Sequence, residues 1–591
     1  MYRAPVSEIA HALKSVAGLK EGLDKGLFGD LSEDLVDAIL EEAGRFATDR
    51  IAPLHVPGDR QGARHADGAV TMPDGYADLY RDWAAGGWNG LAADPEFGGQ
   101  GLPISLAMAV AEMWNSGSMG FGLVATLTAG AVEALEAHAS DEMKAKYLPK
   151  MVSGEWTGTM NLTEPQAGSD VGALKARAEP AGDGTYRIFG QKIFITYGEH
   201  DMTDNIVHLV LARLPGAPAG TKGISLFLVP KFLVNDDGSL GPRNDVHCHS
   251  IEHKLGIHAS PTCTMIYGDG KFGDEPGAVG WLVGEENRGL ACMFTMMNNA
   301  RLAVGIEGVA VAEAASQKAL AYANERRQGR APGWTGEGMS PIVLHPDVRR
   351  DLLTMTSLTR AARAICLACA HAIDMSRATQ GDEARFWHER ASLLTPVAKA
   401  FSTDIGSQVA SIGVQVHGGM GFIEETGAAL YMRDARIAQI YEGTNGIQAI
   451  DLVTRKLPQS DGACVSAYFD ELDGVIGALS ASNEPAFGQS AGRLKEAVAD
   501  LRAATDALGA MMKAGDMARA LSGATPYLRL FGLAAGGVYL ARAALADAGN
   551  GERASLCRFF AENLAGETAA LRRTVEAGAE SLAAAGEFLV A

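Results

Sequence analysis

The hydrophobic pattern changes period twice along the chain, and that constrains its fold more than any other feature. Residues 1–160 read as helix. "LSEDLVDAILEEAGRFA" places apolar residues three and four apart, and Ser32 is suited to cap its start. "SLAMAVAEMW" and "AGAVEALEAHA" read as buried helices, with "PEFGGQGLP" as loop. From 161 to about 278 the runs shorten. "TYRIFGQKIFITYG", "NIVHLVLARL", "GISLFLVPKFL" and "TCTMIYG" are rich in β-branched and aromatic residues, are bounded by Gly, Pro or Asp, and predict strands. From 281 to 456 helix returns. "ARLAVGIEGVAVAEAASQKALAYANERR" and "DVRRDLLTMTSLTRAARAICLACAHAIDMS" each predict one long helix. "LPQSDG" (457–462) reads as a linker, and the Ala- and Leu-rich residues 463–591 as a further helical domain. The expected order is thus helical (1–160), β (161–280), helical bundle (281–456) and an added helical domain (463–591).

Composition narrows the function. The chain has 591 residues, 47% hydrophobic and 21% charged, enough to bury a large core. Lys and Arg number 51 against 71 Asp and Glu, a formal net charge of −20, which disfavours nonspecific binding to DNA or anionic lipid. The start shows no secretory h-region. No stretch reaches about 18 uninterrupted apolar residues; "LFGLAAGGVYLARAALA" is broken by Arg542. Seven irregularly spaced cysteines suggest a reducing cytoplasm.

Four short segments carry chemistry. "MNLTEPQAGSD" (160–170) opens the β region, "FIT" (194–196) follows, and "QVHGGMGF" (415–422) and "QIYEGTNGIQ" (439–448) lie in the second helical region. Glu442 sits there in apolar company, where a carboxylate must pair or rise in pKa. Together and in this order, over roughly residues 35–455, these segments resemble the acyl-CoA dehydrogenase family of flavoproteins. The N-terminal "YRAPV" and the long helical tail resemble its larger bacterial subgroup, which includes methylmercaptopropionyl-CoA dehydrogenases.

The resemblance implies FAD as cofactor, an acyl-CoA substrate and desaturation between Cα and Cβ. Electrons would pass to an electron-transfer flavoprotein, and the enzyme would be a homodimer or dimer of dimers without stable membrane insertion. Glu442 matches the base that takes the α-proton. Some members carry that base just before an Arg on the first long helix, where this chain has Ala300 before Arg301. Met160, Leu162, Thr163, Gly168, Ser169, Phe194, Ile195 and Thr196 match flavin contacts, with Phe194 standing where many members have Trp. Arg326, Gln415, Gly418 and Gly419 match the segments that reach a partner subunit's FAD, although Gln328-Gly329-Arg330 replaces the family's Phe-Gly. Gly443 and Thr444 match further FAD contacts. Ser169, Asn299, Arg301, Tyr441 and Gly443 match substrate contacts. The subgroup implies a short acyl chain such as 3-methylmercaptopropionyl, over a pocket floor from "SMGFGLVATL" (118–127).

Other readings stay beside this one. An acyl-CoA oxidase would use oxygen as acceptor. A DNA-binding flavoprotein of the same fold would need a basic tail, and a membrane-contacting tail a Lys/Arg-rich amphipathic face. "HCHSIEHKLGIH" gathers His247, Cys248, His249, His253 and His258 at spacing that a metal could use, yet it also fits the family's loop-to-strand passage. "CLAC" (366–369) lies inside a helix and reads as two core thiols.

Overall fold

The structure is a computed structural model. It describes all residues but 274, 483, 587, 590 and 591, and leaves the side chain of residue 298 undescribed. The chain forms two compact units, neither of them continuous in sequence. One comprises Phe46–Leu102 and Gly117–Ala300, the other Met1–Arg45, Pro103–Ser116 and Arg301–Ala591.

The first of these is built on an eight-stranded sheet. Its strands are β1 (Trp156–Asn161), β2 (Arg177–Pro180), β3 (Tyr186–Thr196), β4 (Asn205–Ala212), β5 (Ser225–Pro230), β6 (Val246–Ile251), β7 (Thr262–Tyr267) and β8 (Ala278–Val283). Their order is β6-β7-β3-β8-β5-β4-β1, with β2 pairing to β3. β1 and β4 run parallel, and the other pairs are antiparallel. Every residue of β4 and β5 is buried, which accounts for continuous apolar runs where a half-buried strand would alternate. One core cluster packs Leu135, Tyr147, Met151 and Trp156 with Leu209 and Leu228. Another packs Ile188 and Val210 with Phe227, Val246 and Met265.

Residues 1–160 are not wholly helical. Arg64–Ala66 and Ala69–Thr71 form a hairpin, and β1 begins at Trp156. The hairpin is too short to show a period. In "WTGTMN", Gly158 weakens the strand signal. It is Gly because a Cβ there would lie 2.5 Å from the Cβ of Ala131.

In the helical unit, Ser32 Oγ accepts the Leu35 N–H at 3.2 Å and starts the Glu33–Phe46 helix. The principal helices are α1 (Gly289–Glu325, within which the division between units falls), α2 (Pro346–Ala378), α3 (Gly381–His417), α4 (Ala428–Ala438) and α5 (Asn445–Asp451). Cys366 and Cys369 of α2 are buried against Ser402 (3.3 Å) and Thr395 (3.6 Å) of α3, in the core position expected for them. Arg363, also buried in α2, pairs with Glu112 at 2.6 Å and Glu313 at 2.7 Å. Ser460 and Asp461 of the expected linker adopt left-handed φ of 48° and 55°. Five longer helices then follow, from Ala463–Ala481 to Glu567–Gly586.

Among the described residues, three helices, Met119–His138, Pro346–Ala378 and Ala524–Ala546, are long and apolar enough by length and composition to cross a membrane. Their apolar windows are 72%, 72% and 78% buried inside the protein.

Candidate active site

Glu442 occupies the turn between α4 and α5. The N–H groups of Ile440 and Tyr441 still bond the carbonyl of Ile437, so the helix unwinds just before it. Glu442 then takes φ 53° and Gly443 φ 85°. A non-glycine residue there costs roughly 1–2 kcal/mol, so neighbours must hold it. Gln448 Nε2 donates to the Glu442 carbonyl at 3.1 Å, and Lys399 Nζ donates to the Gly443 carbonyl and to Asn445 Oδ1, both at 2.9 Å. Asn445 Nδ2 donates to Asp404 at 2.7 Å. Thr444 Oγ1 accepts the Ile447 N–H at 3.3 Å and caps α5. A Cβ on Gly443 would lie 2.7 Å from Gln448 Nε2, and with φ 85° the position favours glycine.

The Glu442 side chain is partly exposed and makes no hydrogen bond among the described residues. The protein packed around it raises its pKa, against the pull of the Arg301 and Lys399 charges. Arg301, in α1, lies 3.9 Å from Asp451. Burial lowers its pKa, opposed by Asp451 and Glu442. Lys399 is fully buried, and burial draws it down to about 8 against the fields of Glu442, Asp404 and Glu307. The Tyr441 hydroxyl bonds the carboxyl of the buried Glu307. Ala300 is buried and has no group that could take a proton.

Glu442, Arg301, Tyr441, Gly443 and Thr444 thus form one group. Lys399, Asn445, Gln448 and Glu307 complete it and were not singled out from the sequence. The available signal was a lone charge in an apolar helical run, as in "AVGIEGVAV" and "TPVAKAF".

Arg326, Gln415, Gly418 and Gly419 form a second group in the same unit. Arg326 directly follows α1, 25 residues beyond Arg301, about 37 Å at 1.5 Å per residue. Tyr322 and His417 stack with ring centroids 4.5 Å apart, which ties the ends of α1 and α3 together. Arg326, Gln415, Gly418 and Gly419 are exposed, and nothing lies within 4 Å of a Cβ built at either glycine. The following Met420, Phe422 and Ile423 expose large apolar surface, Phe422 at 87%.

In the β unit, Met160 and Ile195 are buried, while Leu162, Thr163 and Thr196 are half-buried and Gly168 and Ser169 are exposed. The β3–β7 register slips by one residue, since Ile195 faces Cys263 but Lys192 faces Met265. The extra residue bends β3 and leaves Phe194 at φ 60° and 59% exposed. The Thr163 carbonyl accepts the Ile193 N–H at 2.9 Å, and Thr159 Oγ1 donates to the Thr196 carbonyl at 2.7 Å. These bonds lay the "TEPQAGS" loop beside "FIT". Beneath the loop, Lys192 donates to the Leu162 carbonyl (3.0 Å) and to Glu164 (2.8 Å). Glu164 also accepts the N–H groups of Lys175 (2.6 Å) and Ala176 (3.0 Å). Burial pulls Lys192 down to about 8. For Glu164 burial acts the other way but is outweighed by Lys192 and those N–H groups, which hold it low. Asn299 Nδ2 donates to Glu133 in this unit.

The histidine-rich stretch is divided among separate partners. His247 Nε2 meets Asp269 at 2.9 Å, and His258 Nδ1 meets Asp59 at 3.0 Å. Among the described residues, no group of three His, Cys, Asp or Glu is placed to hold a metal ion.

Comparison with known proteins places the chain in a family. The N-terminal domain of acyl-CoA dehydrogenases matches residues 34–155, the middle domain 159–269 and the C-terminal domain 287–457. An acetyl-CoA dehydrogenase C-terminal-like domain matches 468–585. The chain is 46% identical to 3-methylmercaptopropionyl-CoA dehydrogenase of Ruegeria pomeroyi, over 92% of this chain and 91% of that one. It is 37% identical to a butyryl-CoA dehydrogenase of Syntrophomonas wolfei, over 75% and 73%. Its fold matches the crystal structure of an acyl-CoA dehydrogenase from Bacillus anthracis complexed with FAD, with TM-score 0.73 and 21% identity over 92% of this chain and 88% of that one. The chain belongs to the acyl-CoA dehydrogenase family of FAD-dependent enzymes.

Proposed function

We propose that the enzyme desaturates a short-chain acyl-CoA between Cα and Cβ, with Glu442 as the base. The observation that carries this is the Glu442 turn. Its carboxylate is unbonded and raised in pKa, yet faces two cations. A base for a weakly acidic α-proton needs that combination of basicity and positioning. The backbone N–H groups of Glu442 and Gly443 have no acceptor among the described residues, and they suit a thioester oxygen as its negative charge develops. Arg301 and Tyr441 border the same turn and serve substrate positioning, together with Asn299 and Ser169.

The residues of the β edge fit a flavin. Phe194 offers an exposed aromatic face, and Gly168 an open backbone with nothing within 4 Å of a built Cβ. Met160, Leu162, Thr163, Gly168, Ser169, Phe194, Ile195 and Thr196 would hold the cofactor. Gly443 and Thr444 would add contacts, and Arg326, Gln415, Gly418 and Gly419 would reach the FAD of a second copy. When bound, FAD supplies the two-electron acceptor. The exposed Met420 and Phe422 support burial of that segment in a homo-oligomer. An electron-transfer flavoprotein is the proposed oxidant of the reduced enzyme, and oxygen uptake in its place would mark an oxidase. The cytoplasm is the proposed compartment, in keeping with seven free, buried thiols.

The short-chain reading rests on the relatives' substrates and on packing in the Met119–His138 helix. Its small residues leave no depth at two places. A Cβ on Gly120 would lie 3.2 Å from Ala259, and one on Gly130 2.8 Å from Met296. A thioether is nearly isosteric with a methylene, so butyryl-CoA and 3-methylmercaptopropionyl-CoA should both turn over faster than palmitoyl-CoA. Glu442→Gln tests the chemistry. It should retain FAD and bind acyl-CoA but lose about 10²–10⁴-fold in turnover. Near-wild-type turnover would refute the assignment. A panel of acyl-CoA thioesters with an artificial electron acceptor tests the substrate.

A further inference from the structure

Beside Glu442 the structure buries a second carboxyl that the proposed reaction leaves unused. Glu307 lies in α1 among Leu302, Val304, Ile306 and Val309, all buried. Gly305 and Gly308 flank it. A Cβ at 305 would lie 2.5 Å from the Ala398 carbonyl oxygen, and one at 308 2.4 Å from that of Ser402. Gly406 of α3 meets Gly308 in the same way, with a built Cβ 2.7 Å from its carbonyl oxygen. The two helices therefore touch backbone to backbone along this stretch, and Glu307 on the same turns of α1 is wholly buried. Glu307 Oε2 accepts from the Tyr441 hydroxyl, while Oε1 has no partner among the described residues. A carboxylate held this way costs several kcal/mol unless it is neutral.

We infer that Glu307 is a positioning residue for the base: through Tyr441 it fixes the turn that carries Glu442, and its own ionisation makes Glu442 a stronger base. This rests on the reading of Glu442 as the base. Three groups face Glu307, namely Tyr441 and Glu442 from the turn after α4 and Lys399 from α3. Burial and the charge of Glu442 raise Glu307 to about 8, against the Tyr441 bond and Lys399. Burial raises the Glu442 carboxyl as well, against the Arg301 and Lys399 charges, and two carboxyls this close lose their protons in steps that belong to the pair. At neutral pH Glu307 is a neutral acid bonded to Tyr441. Above pH 8 its charge lies beside Glu442 and favours proton capture there, which raises the rate by up to about tenfold for one unit of added basicity.

The test combines pH profiles of kcat/KM with infrared difference titration of carboxyl groups on the FAD-loaded enzyme, its Glu307→Gln and Tyr441→Phe variants, and Glu442→Gln. The wild type should show two rising steps, the upper near pH 8, together with a protonated-carboxyl band that disappears through the same pH. Glu307→Gln should lose both the upper step and the band. Tyr441→Phe should move the upper step to higher pH, because the hydroxyl bond favours the ionised carboxyl. An upper step retained in Glu307→Gln, or a band unaffected by that substitution, would overturn the inference. Turnover surviving in Glu442→Gln would instead remove the base assignment, and the infrared band would still report the state of Glu307.

Discussion

The Glu442 turn and the Phe194 bulge solve one problem in two ways. Each puts a bulky residue at left-handed φ, 53° and 60°, and each rests on a fully buried lysine drawn down to about 8. Lys192 has a carboxylate at 2.8 Å, and Glu164 has further N–H partners, so that charge is closed off within the unit. Among the described residues, Lys399 donates only to neutral oxygens, the Gly443 carbonyl and Asn445 Oδ1. Its charge is answered across space by Glu442, Asp404 and Glu307. A cradle needs shape alone, and its ion pair can be complete. The proposed base needs a field at its carboxylate, which a lysine left electrostatically open can supply.

Lys192→Met tests the closed side and should have the largest effect. It strands Glu164, and breaking a buried pair from one side typically costs about 3–5 kcal/mol. Denaturant unfolding of the variant should show a loss of this size, and the pair would prove dispensable if the loss stayed below about 1 kcal/mol. Lys399→Met tests the open side. The Gly443 carbonyl loses its side-chain donor and Asn445 Oδ1 keeps only the Thr403 hydroxyl at 3.3 Å, costing about 1–3 kcal/mol. Lys399 lowers the Glu442 pKa, so its removal should shift the acidic limb of the kcat/KM profile to higher pH. An unmoved limb would mean that Lys399 only holds the turn.

Gly443→Ala sharpens the contrast at the backbone. Positive φ and the clash with Gln448 Nε2 should cost about 1–2 kcal/mol and displace the bond to the Glu442 carbonyl. Turnover should fall more than stability, as steady-state assay beside thermal unfolding would show. Phe194→Ala should matter least to the fold. At 59% exposure the apoprotein should change by no more than about 0.5 kcal/mol, while FAD affinity measured by titration should weaken several-fold. Equal loss in both would mean that the ring packs on protein rather than flavin.

Sequence revealed these two regions unequally. β4 and β5 were legible because continuous β-branched runs leave few alternatives, and β1 was not, because Gly158 answers a neighbouring helix rather than the strand. Glu442 was found through its motif. Phe194 was found the same way, but its conformation depends on a register slip against β7 that no local pattern carries. Glu307 stands out in "GIEGVAV", but its partner Tyr441 is 134 residues away, and only the fold brings them together. Lys399 and Asn445 are likewise joined across 46 residues. Long-range polar pairs have no period, so hydrophobic patterning does not reveal them.

The discontinuity of the units also bears on how the chain is made. Ile9, Leu13, Val16 and Leu19 are almost wholly buried, and they belong with the compact unit completed by Arg301–Ala591. On a ribosome adding about 5–20 residues per second, the intervening chain takes on the order of tens of seconds to appear. Throughout that time the first helices are without their partners, while Phe46–Leu102 and Gly117–Ala300 can close around their own sheet. These helices therefore emerge well before the segment that completes their unit and settle only after it, which leaves their apolar faces uncovered during synthesis.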